Sequence, residues 1–144
     1  MPESLLAPGA VLALWTLIML AWLCVARLPA MSKLGIDLKT APPGGRGVNL
    51  EPALPPKVNW VSHNYTHLLE QPTLFYAVIV FLHLSGGSTD LTRALAWAYV
   101  VLRIVHSFWQ STVNKVPVRF ALFALSTFCL VALSALAVIA TLGN

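Results

Sequence analysis

Acidic side chains are nearly missing from this chain: five Asp and Glu stand among 144 residues. With nine Lys and Arg the charged fraction reaches only 10%. Soluble domains carry about 25% charged residues, so this chain cannot clothe a surface in water, and a soluble fold is excluded. Cysteine is as scarce. Cys24 and Cys129 lie inside apolar runs and read as small buried hydrophobes, since two cysteines make neither a disulfide framework nor a metal site. Internal repeats and low-complexity tracts are absent. The net charge of +4 comes from basic residues placed between apolar segments, which sets orientation in a bilayer and excludes a nucleic-acid signature.

Apolar residues make up 58% of the chain. They fall into four stretches long enough to cross a bilayer, at about 20 residues per crossing. These are about 5–27, 58–84, 91–113 and 118–142. The expected fold is an all-α integral membrane protein, a four-transmembrane-helix bundle forming one domain over 1–144. The first stretch is expected to be a retained helix, because a signal peptide would carry Lys or Arg where this chain has Glu3. Residues 28–57 hold six of the ten prolines and four glycines, and so read as a loop with one short interfacial helix near Met31–Lys39. Thr89 or Asp90 is placed to cap the third helix, and Pro117 to open the fourth. Pro72 should bend the second helix just past Glu70. The last helix has no acidic, basic or histidine residue from Phe120 to Leu142 and is plain scaffold. His83 reads as an interfacial residue, and the aromatic residues as belt and packing groups.

Arg27, Lys33, Lys39, Arg46 and Lys57 fall on one side, joined by Lys115 and Arg119, against Arg93 alone on the other. The positive-inside rule puts loop 28–57 in the cytoplasm and both termini outside.

Two stripes of polar residues break the apolar pattern. In the third stretch Arg103, His106 and Gln110 recur at i, i+3 and i+7; in the second, His63, His67 and Glu70 recur at i, i+4 and i+7. An arginine deep in a membrane costs roughly 3 kcal/mol and normally faces a partner or a wet cavity. Glu70 lies about 20 Å beyond Lys57, and Arg103 about 18 Å before Lys115, at 1.5 Å per residue. The two opposite charges therefore match in depth and should meet, either as a register-setting pair or as the floor of an anion pocket open to the cytoplasm. His106 and Gln110 come level with His67 and His63. His63-x3-His67 is also a metal-ligand spacing, but a second carboxylate within the membrane is lacking, and no metal is expected.

The two stripes, with Pro72 after the first and Pro117-x-Arg119 after the second, resemble the membrane-associated proteins in eicosanoid and glutathione metabolism (MAPEG), in particular its small bacterial members. Where that family's eukaryotic enzymes have Arg-x3-Asn-x2-Glu, this chain has His63, His67 and Glu70. Where its prostaglandin E synthase branch has Arg-x2-His-x3-Tyr, it has Arg103, His106 and Gln110. A serine that follows the family's last arginine is Phe120 here. The resemblance implies a homotrimer in the bacterial inner membrane, with glutathione as co-substrate bound between subunits near the cytoplasmic face. It further implies transfer or peroxidase chemistry on a lipophilic electrophile, with Glu70, Arg103, His106, Gln110, His67 and His63 as glutathione ligands and Arg119 as the catalytic residue. The alternative is a non-catalytic membrane module that binds a small anion, a lipid or a partner protein.

Overall fold

The computed structural model describes residues 4–143, and among them the only regular structure is helical. Four long helices follow in order: α1 (Ala7–Lys33), α2 (Pro56–Leu84), α3 (Asp90–Thr112) and α4 (Val116–Leu142). At 27 residues, α1 and α4 are each about 40 Å long, enough to exceed a hydrocarbon core of about 30 Å. By length and composition α1, α2 and α4 can cross a membrane; α3 is long enough but too polar to qualify on composition. That helix is sheltered instead. It packs against all three others, as does α2, while the backbones of α1 and α4 do not approach each other closely. The central pair α2–α3 is thus flanked by α1 on one side and α4 on the other.

Each helix buries a stripe at the spacing that helical geometry dictates. On α1 it is Leu12, Thr16, Met19 and Leu23; on α4 it is Ser126, Leu130, Leu133 and Ala137. The other faces of α4 expose Phe120, Phe128, Val131 and Ile139, a surface suited to lipid or to a second subunit. The stripe on α3 is wider and includes Arg103, His106, Ser107, Gln110 and Ser111. Near the α2–α3 turn the core is apolar, with Phe75 stacked on Tyr99 at 4.3 Å between centroids. The Tyr99 hydroxyl donates to Gln71 Oε1 (3.3 Å), and Gln71 Nε2 donates to Thr127 Oγ1 (2.9 Å), which ties three helices together.

The first helix outlasts its expected end. It runs through Pro29, whose ring lies on the exposed face, and stops at Lys33. Gly35, at φ +68°, supplies the stop: Ile36 N–H returns to the Met31 carbonyl (3.0 Å) and Gly35 N–H to that of Ser32 (3.1 Å). This double return is the Schellman motif, which needs a left-handed residue. The interfacial helix expected near Met31–Lys39 is therefore not formed. Those residues finish α1, turn, and enter a short 3₁₀ turn at Leu38–Thr40; a second spans Gly47–Leu50. The connection shortens to residues 34–55.

Gly86 ends α2 at φ +71° with a single such return, Gly87 N–H on the Leu82 carbonyl (2.8 Å). Thr89 caps α3 in a reciprocal box with Thr92, while Asp90 pairs with Arg93. Pro117 stands in the first turn of α4. α2 continues through Pro72, which is buried in the bundle. Cys24 departs from expectation in facing outward on α1; Cys129 is half-buried, and both are free thiols.

Candidate functional site

The α1–α2 and α3–α4 connections come together at one end of the bundle, where a cavity of about 1040 Å³ opens. Six of the seven residues singled out in sequence line it: His63, His67 and Glu70 from α2, His106 and Gln110 from α3, and Arg119 from α4. Arg103 does not. It is 0% exposed and lies behind the wall formed by His67.

Arg103 and Glu70 do not form the expected direct pair within the chain. His67 stands between them. Its Nδ1 is 3.0 Å from Glu70 Oε2, and its Nε2 is 3.3 Å from Arg103 Nη1. Arg103 Nη2 also donates to the His67 carbonyl (3.0 Å). Arg103 thus meets α2 about one helical turn from Glu70, and one turn decides which side chain a guanidinium reaches. Glu70 points outward, its side chain 62% exposed. The ring of His106 stacks obliquely on that of His67 at 5.1 Å, and Phe123 lies 5.5 Å from the latter. His106 is 2% exposed and lines the cavity, with no hydrogen-bond partner among the described residues.

The cavity's cations are free of carboxylates. Among the described residues the ion pairs are His63–Glu51 (3.0 Å), His67–Glu70 and Arg93–Asp90. Both acids at the cavity are therefore engaged by histidines, leaving Arg27, Arg46 and Arg119 without an acidic partner. Local structure aims two of these arginines. Asn114 takes the left-handed turn that ends α3 (φ 53°) and accepts from Arg119 Nη1 at 2.7 Å. Arg27 Nη2 donates to Ser62 Oγ at 3.0 Å, while its Nε is buried without a partner. The connection passes close over that guanidinium at Gly47, where a Cβ would lie 2.6 Å from Arg27 Nη1 and would push that side chain aside.

Below the cavity a polar knot crosses three helices. Ser107 Oγ accepts from Asn64 Nδ2 (2.7 Å) and from Trp15 Nε1 (2.9 Å). Asn64 is fully buried, a position sequence reading passed over in favour of its neighbour His63. The signal was available: Val61, Asn64 and Leu68 share a 3–4 spacing, whereas His63 falls on the exposed side. Arg27, Arg46 and Glu51 were missed for another reason, since nothing local says that an irregular connection folds back over the bundle.

No group of three or more His, Cys, Asp or Glu among the described residues is arranged to hold a metal ion. The chain can instead offer an anion three guanidinium groups without acidic partners, three imidazoles and the Gln110 amide, next to the exposed apolar start of α4. No curated protein and no solved structure matches the chain. A family comparison does, across residues 5–139 and hence over all four helices, and the chain belongs to the MAPEG family.

Proposed function

We propose that the protein is a glutathione-dependent transferase or peroxidase acting on lipophilic electrophiles from the bilayer. The observation that carries this reading is a cavity with three arginines lacking acidic partners, at the end of the bundle where the basic connections meet. Glutathione brings two carboxylates, an ammonium and a thiol. Arg27 and Arg46 suit the carboxylates, since a guanidinium grips them bidentately. Glu51 and Glu70 suit the ammonium, and Gln110 a peptide group. Arg103 acts from behind the wall, by charge.

A thiol of pKa near 8.5 is only a few per cent ionised at neutral pH. Arg119 raises that fraction and never gives up its own proton. In transfer, the thiol proton leaves to water, the thiolate sulfur bonds to the electrophilic carbon, and the carbon's bond to its leaving group breaks. In peroxide reduction, the thiolate attacks oxygen, the O–O bond breaks, and the alkoxide takes a proton. The sulfur is left as a sulfenic acid; the thiolate of a second glutathione attacks it, the S–O bond breaks, the oxygen leaves as water with the thiol's proton, and the disulfide remains.

On this reading all four helices cross the membrane, with the basic connections in the cytoplasm of a bacterial cell. Only Arg93 sits at the other end, and Asp90 already neutralises it. An assembly, as in the homotrimer implied by resemblance, accounts for Glu70. It stands midway along α2 on an exposed stripe with Thr66 and Thr73. Facing hydrocarbon there would cost a carboxylate about 3 kcal/mol, so a neighbouring subunit is expected to cover it.

The test is conjugation of a generic aryl halide by the solubilised full chain, with glutathione binding measured in parallel. Arg119→Lys should lose turnover by about tenfold or more, equivalent to about 1.4 kcal/mol of transition-state stabilisation, while still binding glutathione. Unchanged turnover would remove Arg119 from the site. Binding by the native chain with no turnover on any electrophile would favour the non-catalytic module.

A further inference from the structure

We infer that His67 is a positioning residue: Glu70 holds it as the Nδ1–H tautomer, so that its bare Nε2 and its own carbonyl together fix the buried guanidinium of Arg103.

Donors and acceptors decide the tautomer. A guanidinium has five N–H donors and no acceptor. Arg103 Nη1 lies 3.3 Å from His67 Nε2, so that nitrogen must present a lone pair. Glu70, as a carboxylate, only accepts, and its Oε2 lies 3.0 Å from Nδ1. That nitrogen must carry the hydrogen. The opposite tautomer would set N–H against N–H on one side and lone pair against lone pair on the other. An imidazolium would satisfy Glu70 but turn a second cation's N–H onto Arg103. One protonation state meets both neighbours, and it is neutral.

The consequence is electrostatic. Arg103 has no carboxylate within ion-pair distance among the described residues, and its second anchor is a carbonyl. Its charge is held in place without being cancelled. Between it and the cavity stand His67, which is neutral, and His106, which has no hydrogen-bond partner. A fixed positive charge behind an uncharged wall attracts an anion that never touches it, and low polarisability there weakens screening. A direct Glu70–Arg103 pair would have cancelled that field. The inserted histidine keeps the acid at the exposed face of α2 and the cation in the core.

This rests on the proposed function only in taking glutathione as the anion, and the test separates the two. Full-length protein labelled with ¹⁵N-histidine reports its tautomers through the ring nitrogens, His67 being identified as the signal lost in a substituted chain. The expected result at neutral pH is Nδ1–H for His67, with that Nδ1–H signal losing its hydrogen-bonded shift in Glu70→Leu. His67→Gln sets an amide near the former Nε2 and can keep hold of Arg103; His67→Asn sets one near Nδ1 and cannot. Glutathione affinity should stay within about threefold of the native value in His67→Gln and fall by about tenfold or more in His67→Asn. A native His67 that is cationic or Nε2–H overturns the inference, as does equal loss in the two variants. If the native chain binds no glutathione, the proposed function falls, and the nitrogen spectrum alone decides the role of His67.

Discussion

At the scale of single residues, the site is governed by which atoms can donate. Ser107 receives two hydrogen bonds, from Asn64 and Trp15, on three different helices. Ser107→Ala removes one small oxygen and strands the buried Asn64 amide and the half-buried Trp15 indole. It should destabilise the bundle by about 1–3 kcal/mol per stranded group, a lower melting temperature in detergent being the readout. Ser107→Thr keeps the oxygen and should recover part of the loss. An unshifted melt in the alanine variant would show that the knot is wet or unformed. Sequence alone exposed the residue types of the site but not their pairing. His67, Glu70 and Arg103 were recognisable as one group, because buried charge in an apolar chain needs explaining. That His67 would intervene was not, since a pairing hangs on about one helical turn and on rotamers that periodicity does not encode.

At the scale of helices, ends and close approaches matter more than composition. Proline density suggested that α1 stops near Pro29, yet a proline on an exposed face costs a helix one hydrogen bond and does not force a turn. Gly35 does, because its left-handed conformation lets two carbonyls be satisfied at once. Starts were easier to read: Pro117 and Thr89 act locally, and both stand where expected. The approach of α1 to α2 is equally specific. A Cβ on Gly9 would come within 2.5 Å of Ile79 Cδ1. Gly9→Leu should therefore pry the two helices apart and lower stability by about 1–3 kcal/mol, the usual range for overpacking. Gly9→Leu combined with Ile79→Ala should regain much of that in a thermal melt. If the double variant is no better than the single, the helices do not meet there.

At the scale of the molecule, the fold class was legible because a bilayer leaves few options: an apolar chain of this length that must satisfy its backbone internally becomes a helical bundle. The cavity was not legible. It exists because residues 34–55, irregular and rich in proline, fold back so that Arg46, Gly47 and Glu51 close over the ends of α2 and α4. Orientation can be checked independently. With Cys24 and Cys129 replaced by Ala, Gly45→Cys should resist an impermeant thiol reagent on intact cells and react once they are opened, whereas Ser88→Cys should react at once. The reverse pattern would invert the topology. The proposed function turns on one quantity, the affinity of this cavity for glutathione. Isothermal titration of the solubilised full chain with glutathione, and with its S-hexyl conjugate, measures it. Both should bind, with the conjugate tighter because its alkyl chain leaves water, and Arg27→Ala and Arg119→Ala should each weaken binding by about tenfold. No heat from either ligand, or native affinity in both arginine variants, would contradict the account.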